Sequence, residues 1–430
     1  MLEISIENFL SFSEKQTFNM YAGGAGNIDG SLFELEYAGQ NKELNKIKLF
    51  KASVIYGLNN AGKTNFFNAL FLLCRFVEKS WENGLLKDDC YFKLNNTFKN
   101  KPTIFSITFI TEQKIKYDYS FSFIKERIIT EKLISYAKGQ PQLCFERKFI
   151  EEKGDYDYIF KNIEGNSKNQ IKDIVGATRE DCLFLSAAKQ YGNKFLEPVI
   201  NFFKNTLKVI PTFILDVYNN NVKKIIEEND ENFKKDFLTL LGDKSIIDII
   251  IEKEPLSSKQ ILEKEEKLKN SSLNKQEEIK KQYEELEKRV VFLKRDENGN
   301  NIKFRLDTTE SDGTNKLINL LSFLYLAKDK NKVLFFDELD CSLNSKLLVL
   351  LIKLIYKNNW KVQLIFTAHN TSLLKKRFDI FRKYQVWFVE KDYDNVSSIL
   401  YSAGETSVRN EKDLEELFFN GRFIDFQEEE

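Results

Sequence analysis

The sequence predicts an α/β protein whose core sheet is assembled from both chain ends, with an antiparallel β subdomain and a helical insertion between them. Three observations carry this expectation. The short run Lys51–Tyr56 leads directly into Gly57-Leu-Asn-Asn-Ala-Gly62-Lys63-Thr64 and then into a long apolar segment. A continuous apolar run, Val333–Phe336, ends on Asp337-Glu338. From 311 to 400, helix-like and strand-like segments alternate, as in a parallel sheet with crossover helices.

Taken in order, Leu2-Glu-Ile-Ser-Ile alternates apolar and polar residues and predicts a strand. Residues 22–47 are rich in Gly and Asn and read as loop. Lys51–Tyr56 reads as a short buried strand, and Thr64–Val77 as a core helix. Between 103 and 136, Ile104, Ile107 and Phe109, then Tyr117, Tyr119, Phe121 and Phe123, give the period-2 faces of successive antiparallel strands. Residues 196–250 read as helical. Residues 256–289 are charged and free of Gly, with Ile279, Tyr283, Leu286 and Val290 at helical spacing. This stretch is either a short coiled-coil arm or a solvated helix hairpin. Val290–Arg295 and Ile302–Leu306 flank a Gly-containing turn and predict a β-hairpin. The expected organisation is a first part of the α/β core over 1–90, a β-rich subdomain over 91–195, a helical insertion over 196–289, and a second part of the α/β core over 290–430.

Composition bounds the function. The chain has 430 residues, with 65 Lys+Arg against 65 Asp+Glu, so no global positive charge draws it to nucleic acid. Any such contact must come from a local patch. A hydrophobic content of 42%, including 38 Phe, excludes a mostly disordered chain. No apolar run is long enough to span a bilayer, and the start lacks the basic and apolar blocks of a signal peptide. The expectation is a cytoplasmic protein without a membrane partner. The five scattered Cys contain no CxxC, which supports neither a zinc site nor a disulfide framework. The single histidine, His369, rules out His-based metal clusters.

The chemistry is concentrated in four segments. Gly57–Thr64 fits GxxxxGK[ST] between a strand and a helix, the context that lets backbone N–H groups curl around phosphates. Gly57, Asn59, Asn60, Gly62, Lys63, Thr64 and Asn65 are the expected ATP contacts. Lys63 would reach the β- and γ-phosphates, and Thr64 would hold Mg²⁺. Asp337 and Glu338 follow a strand that reads as buried on both faces, and so fall where open α/β sheets bind ligands. Asp337 is expected on the metal and Glu338 as general base toward water. Val362–Phe366 is another buried strand, and it leads through Thr-Ala to His369, which can meet the γ-phosphate or place the water, or simply cap a loop. Ser311-Asp-Gly313-Thr314 opens an apolar helix. Ser311, Gly313 and Thr314 could bind an anion at the helix start, or merely cap it.

In this order the four segments resemble the ABC-type ATPases of the SMC, RecF and OLD-like group. Gly57–Thr64 is similar to Walker A, Leu334–Glu338 to Walker B, Ser311–Thr314 to the ABC signature, and His369 to the switch histidine. Ile6-Glu-Asn8-Phe9-Leu-Ser-Phe, Glu310-Ser-Asp-Gly-Thr, Asp337-Glu-Leu-Asp-Cys-Ser-Leu, Phe366-Thr-Ala-His-Asn-Thr, Val386–Lys391 and Asn420-Gly-Arg-Phe423 most resemble standalone OLD-like ATPases of abortive-infection and PARIS-type antiphage systems. Asn344 stands where such proteins often carry His, and Asp312 at a usual Gly or Ser. The resemblance implies an ABC-type ATPase head that dimerises, or forms a larger homo-oligomer, by sandwiching ATP between subunits, each signature facing the partner's Lys63. It implies ATP and Mg²⁺ as ligands. It further implies a sensor or regulatory subunit of a defence system, acting on a separately encoded effector such as a nuclease or toxin. No nuclease activity is expected in this chain, and nucleic acid is a possible partner. A RecF-like role in DNA repair is the alternative. The long stretch between Thr64 and Gly313 argues against a transporter subunit.

Overall fold

A computed structural model describes residues 1–22, 28–40, 43–84, 89–161, 167–211, 220–306, 311–341, 343–392, 394, 396–405 and 414–415. Glu310, Ser342 and Asn420–Phe423 of the sequence reading lie outside them. The chain divides into two compact units. One comprises Met1–Ile210, Asp329–Cys341 and Ile352–Glu430, the other Pro211–Lys328 and Ser342–Leu351.

In the first unit, β1 (Glu3–Glu7), β2 (Gln16–Asn19), the hairpin β3 (Leu32–Ala38) and β4 (Leu44–Phe50), and β5 (Ala52–Tyr56) precede helix α1 (Lys63–Asn83). Strands β6 (Thr103–Ile110), β7 (Lys116–Phe123), β8 (Ile128–Ser135), β9 (Gln142–Ile150) and β10 (Asp155–Phe160) then form a meander. It is followed by helices α2 (Ser167–Ala177), α3 (Phe184–Gln190) and α4 (Glu197–Asn201), and by β11 (Leu207–Ile210). The hairpin β3–β4 replaces the loop expected over 22–47. Its residues alternate, Leu32-Phe-Glu-Leu-Glu-Tyr against Lys46-Ile-Lys-Leu, and the Gly/Asn bias gathers around rather than within the strands. The helical expectation over 196–250 also fails at β11, whose pairing partner lies far along the chain.

Two sheets organise this unit. The first is antiparallel, in the order β10-β9-β8-β7-β6-β1-β2, so the N-terminal strand pairs with β6, beyond the whole of helix α1 in the chain. The second also draws on β15 (Lys332–Phe336), β16 (Val362–Thr367), β17 (Val386–Asp392) and β18 (Ser397–Ser402). Its order is β11-β15-β16-β5-β17-β18, parallel except at the edge strand β18. Helix α1 contacts aromatic residues of both sheets. Phe66 and Phe67 pack on Phe335 of β15, with ring centroids 6.0 and 5.8 Å apart, while Phe76 meets Phe121 and Phe123 of β7 at 5.6 and 4.9 Å. Each such pair contributes about 0.5–1.5 kcal/mol beyond its buried area. This double packing explains why apolar residues of α1 exceed a single amphipathic stripe. The helix stops at Gly84, whose φ of 71° is open to glycine and whose N–H caps the Ser80 carbonyl.

A buried carboxylate fixes the start of α3. Glu131 on β8 accepts the backbone N–H of Phe184 at 2.6 Å and of Leu185 at 2.9 Å, together with the Tyr119 hydroxyl at 2.9 Å. These are the orphan donors of a helix start, met by an acid from a neighbouring strand. Burial pushes the Glu131 pKa up, and Arg147 and the three donors oppose that.

In the second unit, α5 (Asn220–Glu227), α6 (Glu231–Leu241) and α9 (Asp312–Ala327) pack together. They accompany a three-stranded antiparallel sheet of β12 (Ile246–Lys253), β13 (Lys288–Arg295) and β14 (Asn301–Arg305). β12 is a second departure from the helical expectation over 196–250. Its run Ile-Ile-Asp-Ile-Ile-Ile is β-branched at five of six positions, which favours a pleated strand. The charged stretch over 256–289 is a helix hairpin. Helices α7 (Ser258–Lys269) and α8 (Leu273–Glu287) are joined by a tight turn, and Lys267 lies over the Tyr283 ring. Helix α10 (Ser345–Lys357) follows β15 in the chain. Among the described residues, no helix is long and apolar enough to cross a membrane.

Candidate functional site

The parallel sheet decides where the chemistry gathers. β15, β16 and β5 are adjacent and point the same way, so their C-terminal ends share one edge. Asp337 and Glu338 follow β15, His369 follows β16, and Gly57–Thr64 follows β5. That is the edge at which open α/β sheets bind ligands. Asn59, Asn60, Ala61, Gly62, Lys63, Thr64, Asn65, Glu338 and His369 line a cleft of about 330 Å³ there.

The loop after β5 has a shape that only glycine permits at two positions. A Cβ on Gly57 would lie 2.3 Å from the Val389 carbonyl oxygen. A Cβ on Gly62 would lie 2.5 Å from Ser398 Oγ and 2.7 Å from Ser11 Oγ, and the Gly62 φ of 119° excludes L side chains. Two serines brace the loop from outside. The Asn65 amide donates to Ser11 Oγ at 2.9 Å, the Ser398 N–H donates to the Ser11 carbonyl at 2.7 Å, and the Ser398 hydroxyl donates to the Ala61 carbonyl. Ser11 is itself placed by a tight turn in which Asn8 and Leu10 have φ near 50°. The buried Asn8 side chain ties that turn to the Phe98 and Lys101 carbonyls and to the Phe92 N–H.

Lys63 is buried, and its ammonium donates to the loop's own carbonyls, Gly57 at 2.7 Å and Leu58 at 3.2 Å. Burial lowers its pKa, while Glu338, Asp337 and Asp340 pull it back up. The site therefore holds a cation facing three carboxylates, in a loop rich in backbone N–H groups.

Asp337 accepts the Thr367 hydroxyl at 2.6 Å, and the Thr64 side chain also favours its ionised form. Burial raises its pKa; the Thr367 bond works against this, and the neighbouring Glu338 adds to it. The same Thr367 oxygen accepts the Glu338 N–H at 2.6 Å, so one hydroxyl on β16 ties together the acid pair after β15. Glu338 has a φ of 50°, a conformation that costs a non-glycine residue about 1–3 kcal/mol and concentrates at functional sites. His369 Nε2 lies 3.1 Å from Glu338 Oε1. The His369 hydrogen bond, aided by the Cys341 thiol 3.5 Å from Oε2, holds the Glu338 pKa below the usual carboxylate range against the opposing effect of burial. Asp340 Oδ2 accepts the backbone N–H of His369 at 2.8 Å and of Asn370 at 2.5 Å, which fixes the turn carrying the histidine.

The structure thus brings together Gly57, Asn59, Asn60, Gly62, Lys63, Thr64, Asn65, Asp337, Glu338 and His369. Ser311, Gly313 and Thr314 belong to the second unit. There Ser311 is the N-cap of α9, and its hydroxyl accepts the Thr314 N–H at 3.3 Å. Five residues beyond the sequence reading take part: Ser11, Ser398, Thr367, Asp340 and Cys341. Ser11, Thr367, Asp340 and Cys341 fall inside segments the sequence singles out, without a role stated for them, and Ser398 falls outside. The residues present fit Mg²⁺ and a polyphosphate. The Thr64 hydroxyl and the Asp337 carboxylate are hard oxygen donors at the same end of the sheet as the buried Lys63 ammonium.

Comparison with known proteins gives the following. The family described as "AAA domain, putative AbiEii toxin, Type IV TA system" matches residues 52–166 and 183–375. "Endonuclease GajA" of Bacillus cereus (strain VD045) is 26% identical over 413 residues, which cover 90% of this chain and 63% of that protein. The chain therefore spans somewhat under two thirds of the curated relative's length. Among solved structures, the SMC head domain from Thermotoga maritima aligns at 12% identity with a TM-score of 0.43, covering 93% of this chain and 98% of that one. The recombination mediator RecF bound to ATP aligns at 14% identity with a TM-score of 0.36, covering 93% and 98%.

Proposed function

The chain belongs to the family described as "AAA domain, putative AbiEii toxin, Type IV TA system", and from that premise we propose that it is a Mg²⁺-dependent ATP hydrolase that serves as the regulatory engine of an antiphage defence system. The observation that carries the ATPase part is the convergence, at one sheet edge, of a buried Lys63, the Asp337 carboxylate held by Thr367 and the Glu338–His369 pair. Lys63 exchanges its loop carbonyls for the β- and γ-phosphate oxygens, a charge-assisted contact stronger than those it leaves. Asn59, Asn60, Gly62 and Asn65 line the phosphate path. Thr64 and Asp337 would hold Mg²⁺, which when bound neutralises charge on the phosphate oxygens. Glu338 takes the proton of the attacking water. His369, donating from Nε2, keeps that carboxylate ionised and aimed, and offers the same face to the γ-phosphate. Thr367 and Asp340 hold the acid pair and the histidine turn in register.

The defence role rests on family membership and on the likeness to a protein named as an endonuclease. In this reading the chain dimerises around two ATPs, and Ser311, Gly313 and Thr314 of one subunit meet the γ-phosphate held by the partner's Lys63. The hydrolysis cycle then gates an effector encoded separately. The test is phage plating on cells that carry the gene with its neighbours, alongside incubation of the purified chain with DNA and RNA. Protection lost with Lys63→Ala, and no cutting by the chain alone, supports the proposal. Metal-dependent cutting by the Lys63→Ala protein would place a nuclease within this chain and overturn the separate effector.

A further inference from the structure

Cys341, whose thiol lies beside Glu338, touches no phosphate, metal or water in the proposed hydrolysis. It closes the single turn after Glu338, and both Cys341 and His369 are exposed. Among the described residues, Glu338, Cys341 and His369 form a trio whose ligand atoms all lie within 4.8 Å of one another. We infer that this trio is a binding site for a borderline-soft divalent cation, of which Zn²⁺ is the representative, and that its occupation stops ATP hydrolysis.

The geometry and the donor set both argue for this. Tetrahedral zinc, with Zn–S of about 2.3 Å and Zn–N and Zn–O of about 2.0–2.1 Å, needs about 3.5 Å between sulfur and oxygen and about 3.3 Å between nitrogen and oxygen. Cys341 Sγ lies 3.5 Å from Glu338 Oε2 and His369 Nε2 lies 3.1 Å from Glu338 Oε1, so the two donors flank opposite oxygens of one carboxylate. With one ligand atom taken from each residue, all three edges stay within 4.8 Å, and a small rotation of the side chains brings one oxygen to both. A thiolate, an imidazole and a carboxylate select zinc over magnesium, which prefers an all-oxygen octahedron. The site is thus distinct in chemistry from the Thr64–Asp337 pair, although the two share the cleft. Three protein ligands leave a fourth position open, for water or for an oxygen of a bound phosphate. On binding, the Cys341 thiol gives its proton to solvent, the proton on His369 Nε2 is lost to solvent while Nδ1 is the protonated nitrogen of the bound neutral ring, and the two hydrogen bonds to Glu338 are exchanged for bonds to the metal.

The inhibitory consequence rests on the proposed roles of Glu338 and His369: a carboxylate committed to zinc cannot accept the water's proton. The binding itself does not rest on those roles, and the test keeps the two apart. Cobalt(II) is added to the nucleotide-free full chain and the near-ultraviolet thiolate-to-metal charge-transfer band is recorded, followed by titration with Zn²⁺. The expected result is one equivalent of cobalt with a thiolate band, displaced by zinc and absent from Cys341→Ser. Zinc affinity should fall on the order of 100-fold in that variant, as in losses from perturbed metal sites. Cys90→Ser, at a second partly exposed thiol, should keep the band. No band, or a band unchanged in Cys341→Ser, overturns the site. In parallel, micromolar Zn²⁺ should inhibit Mg–ATP hydrolysis by the wild type, with Cys341→Ser relieving the inhibition. Zinc bound to an active enzyme without inhibition overturns the regulatory half. If the wild type lacks ATPase activity altogether, the proposed function fails, and the cobalt band still decides the metal site.

Discussion

Thr367 carries one hydroxyl between the Asp337 carboxylate and the Glu338 amide, so Thr367→Val removes both bonds at nearly constant volume. The orphaned, partly buried amide should cost about 1–3 kcal/mol. The freed Asp337 should raise the Mg²⁺ concentration needed for half-maximal ATPase activity by roughly 10–100-fold, the usual effect of losing an outer-shell partner. A magnesium titration that matches wild type would contradict this role. His369→Ala should change the pH profile instead. His369 is the largest contributor to the lowered Glu338 pKa, so the wild-type carboxylate stays ionised to unusually low pH. Removing the imidazole lets that pKa rise, and the acid limb of the ATPase profile should move to higher pH. A limb that stays in place would mean that Glu338 does not control it. At this scale the sequence was most legible where the motif is local. Gly57–Thr64 and Asp337-Glu338 are contiguous, and their types state their chemistry. Ser11, Ser398 and Asp340 were not legible, because each acts across a long chain separation through a serine or aspartate common to any surface.

At the level of elements, the loop after β5 and the start of α3 each depend on one residue. Gly62→Ala places a methyl group 2.5 Å from Ser398 Oγ at a φ closed to alanine. The loop must therefore distort while the two sheets keep their cores. The expected outcome is loss of fluorescent-ATP binding with an unchanged far-ultraviolet spectrum, whereas binding at wild-type affinity would show that the loop tolerates the side chain. Glu131→Ala should act on stability instead. It strands the Phe184 and Leu185 amides and the Tyr119 hydroxyl inside the protein. A loss of about 3 kcal/mol is expected, read as a lower urea midpoint. The elements that the sequence announced were those with strong local period: β6 and β7 by their aromatic alternation, and the helix hairpin by its charge and lack of Gly. Those it concealed have other causes. β11 is only four residues long, and Leu-Lys-Val-Ile becomes a strand because β15 lies beside it. β12 is hidden in a stretch that also forms helices, and β3–β4 is masked by the Gly and Asn that flank its strands.

At the scale of the whole molecule, the seven-stranded sheet shows what no window of sequence encodes. β1 pairs with β6 at Glu3–Thr108 through Glu7–Ile104, so the first strand and the meander over 103–160 share one sheet. Such non-local pairing is specified by complementary faces, not by a local signal. The trans arrangement proposed for Ser311–Thr314 also belongs to this scale. Glu338→Gln with ATP should convert the protein to a dimer in sedimentation. A mixture of Lys63→Ala with Gly313→Glu should regain hydrolysis that neither has alone, up to about half the wild-type rate per heterodimer if the two sites are independent. A Glu338→Gln protein that stays the same size with and without ATP would leave Ser311 as no more than the cap of α9. The central claim is nearer the chemistry: one cleft binds Mg–ATP through Lys63 and hydrolyses it through Glu338. The most direct measurement is ATP retention and turnover by Glu338→Gln beside wild type and Lys63→Ala. Glu338→Gln should bind ATP as wild type does with turnover reduced on the order of 100-fold or more, because an amide cannot take the water's proton, and Lys63→Ala should show no tight binding. Turnover by Glu338→Gln at the wild-type rate would contradict it.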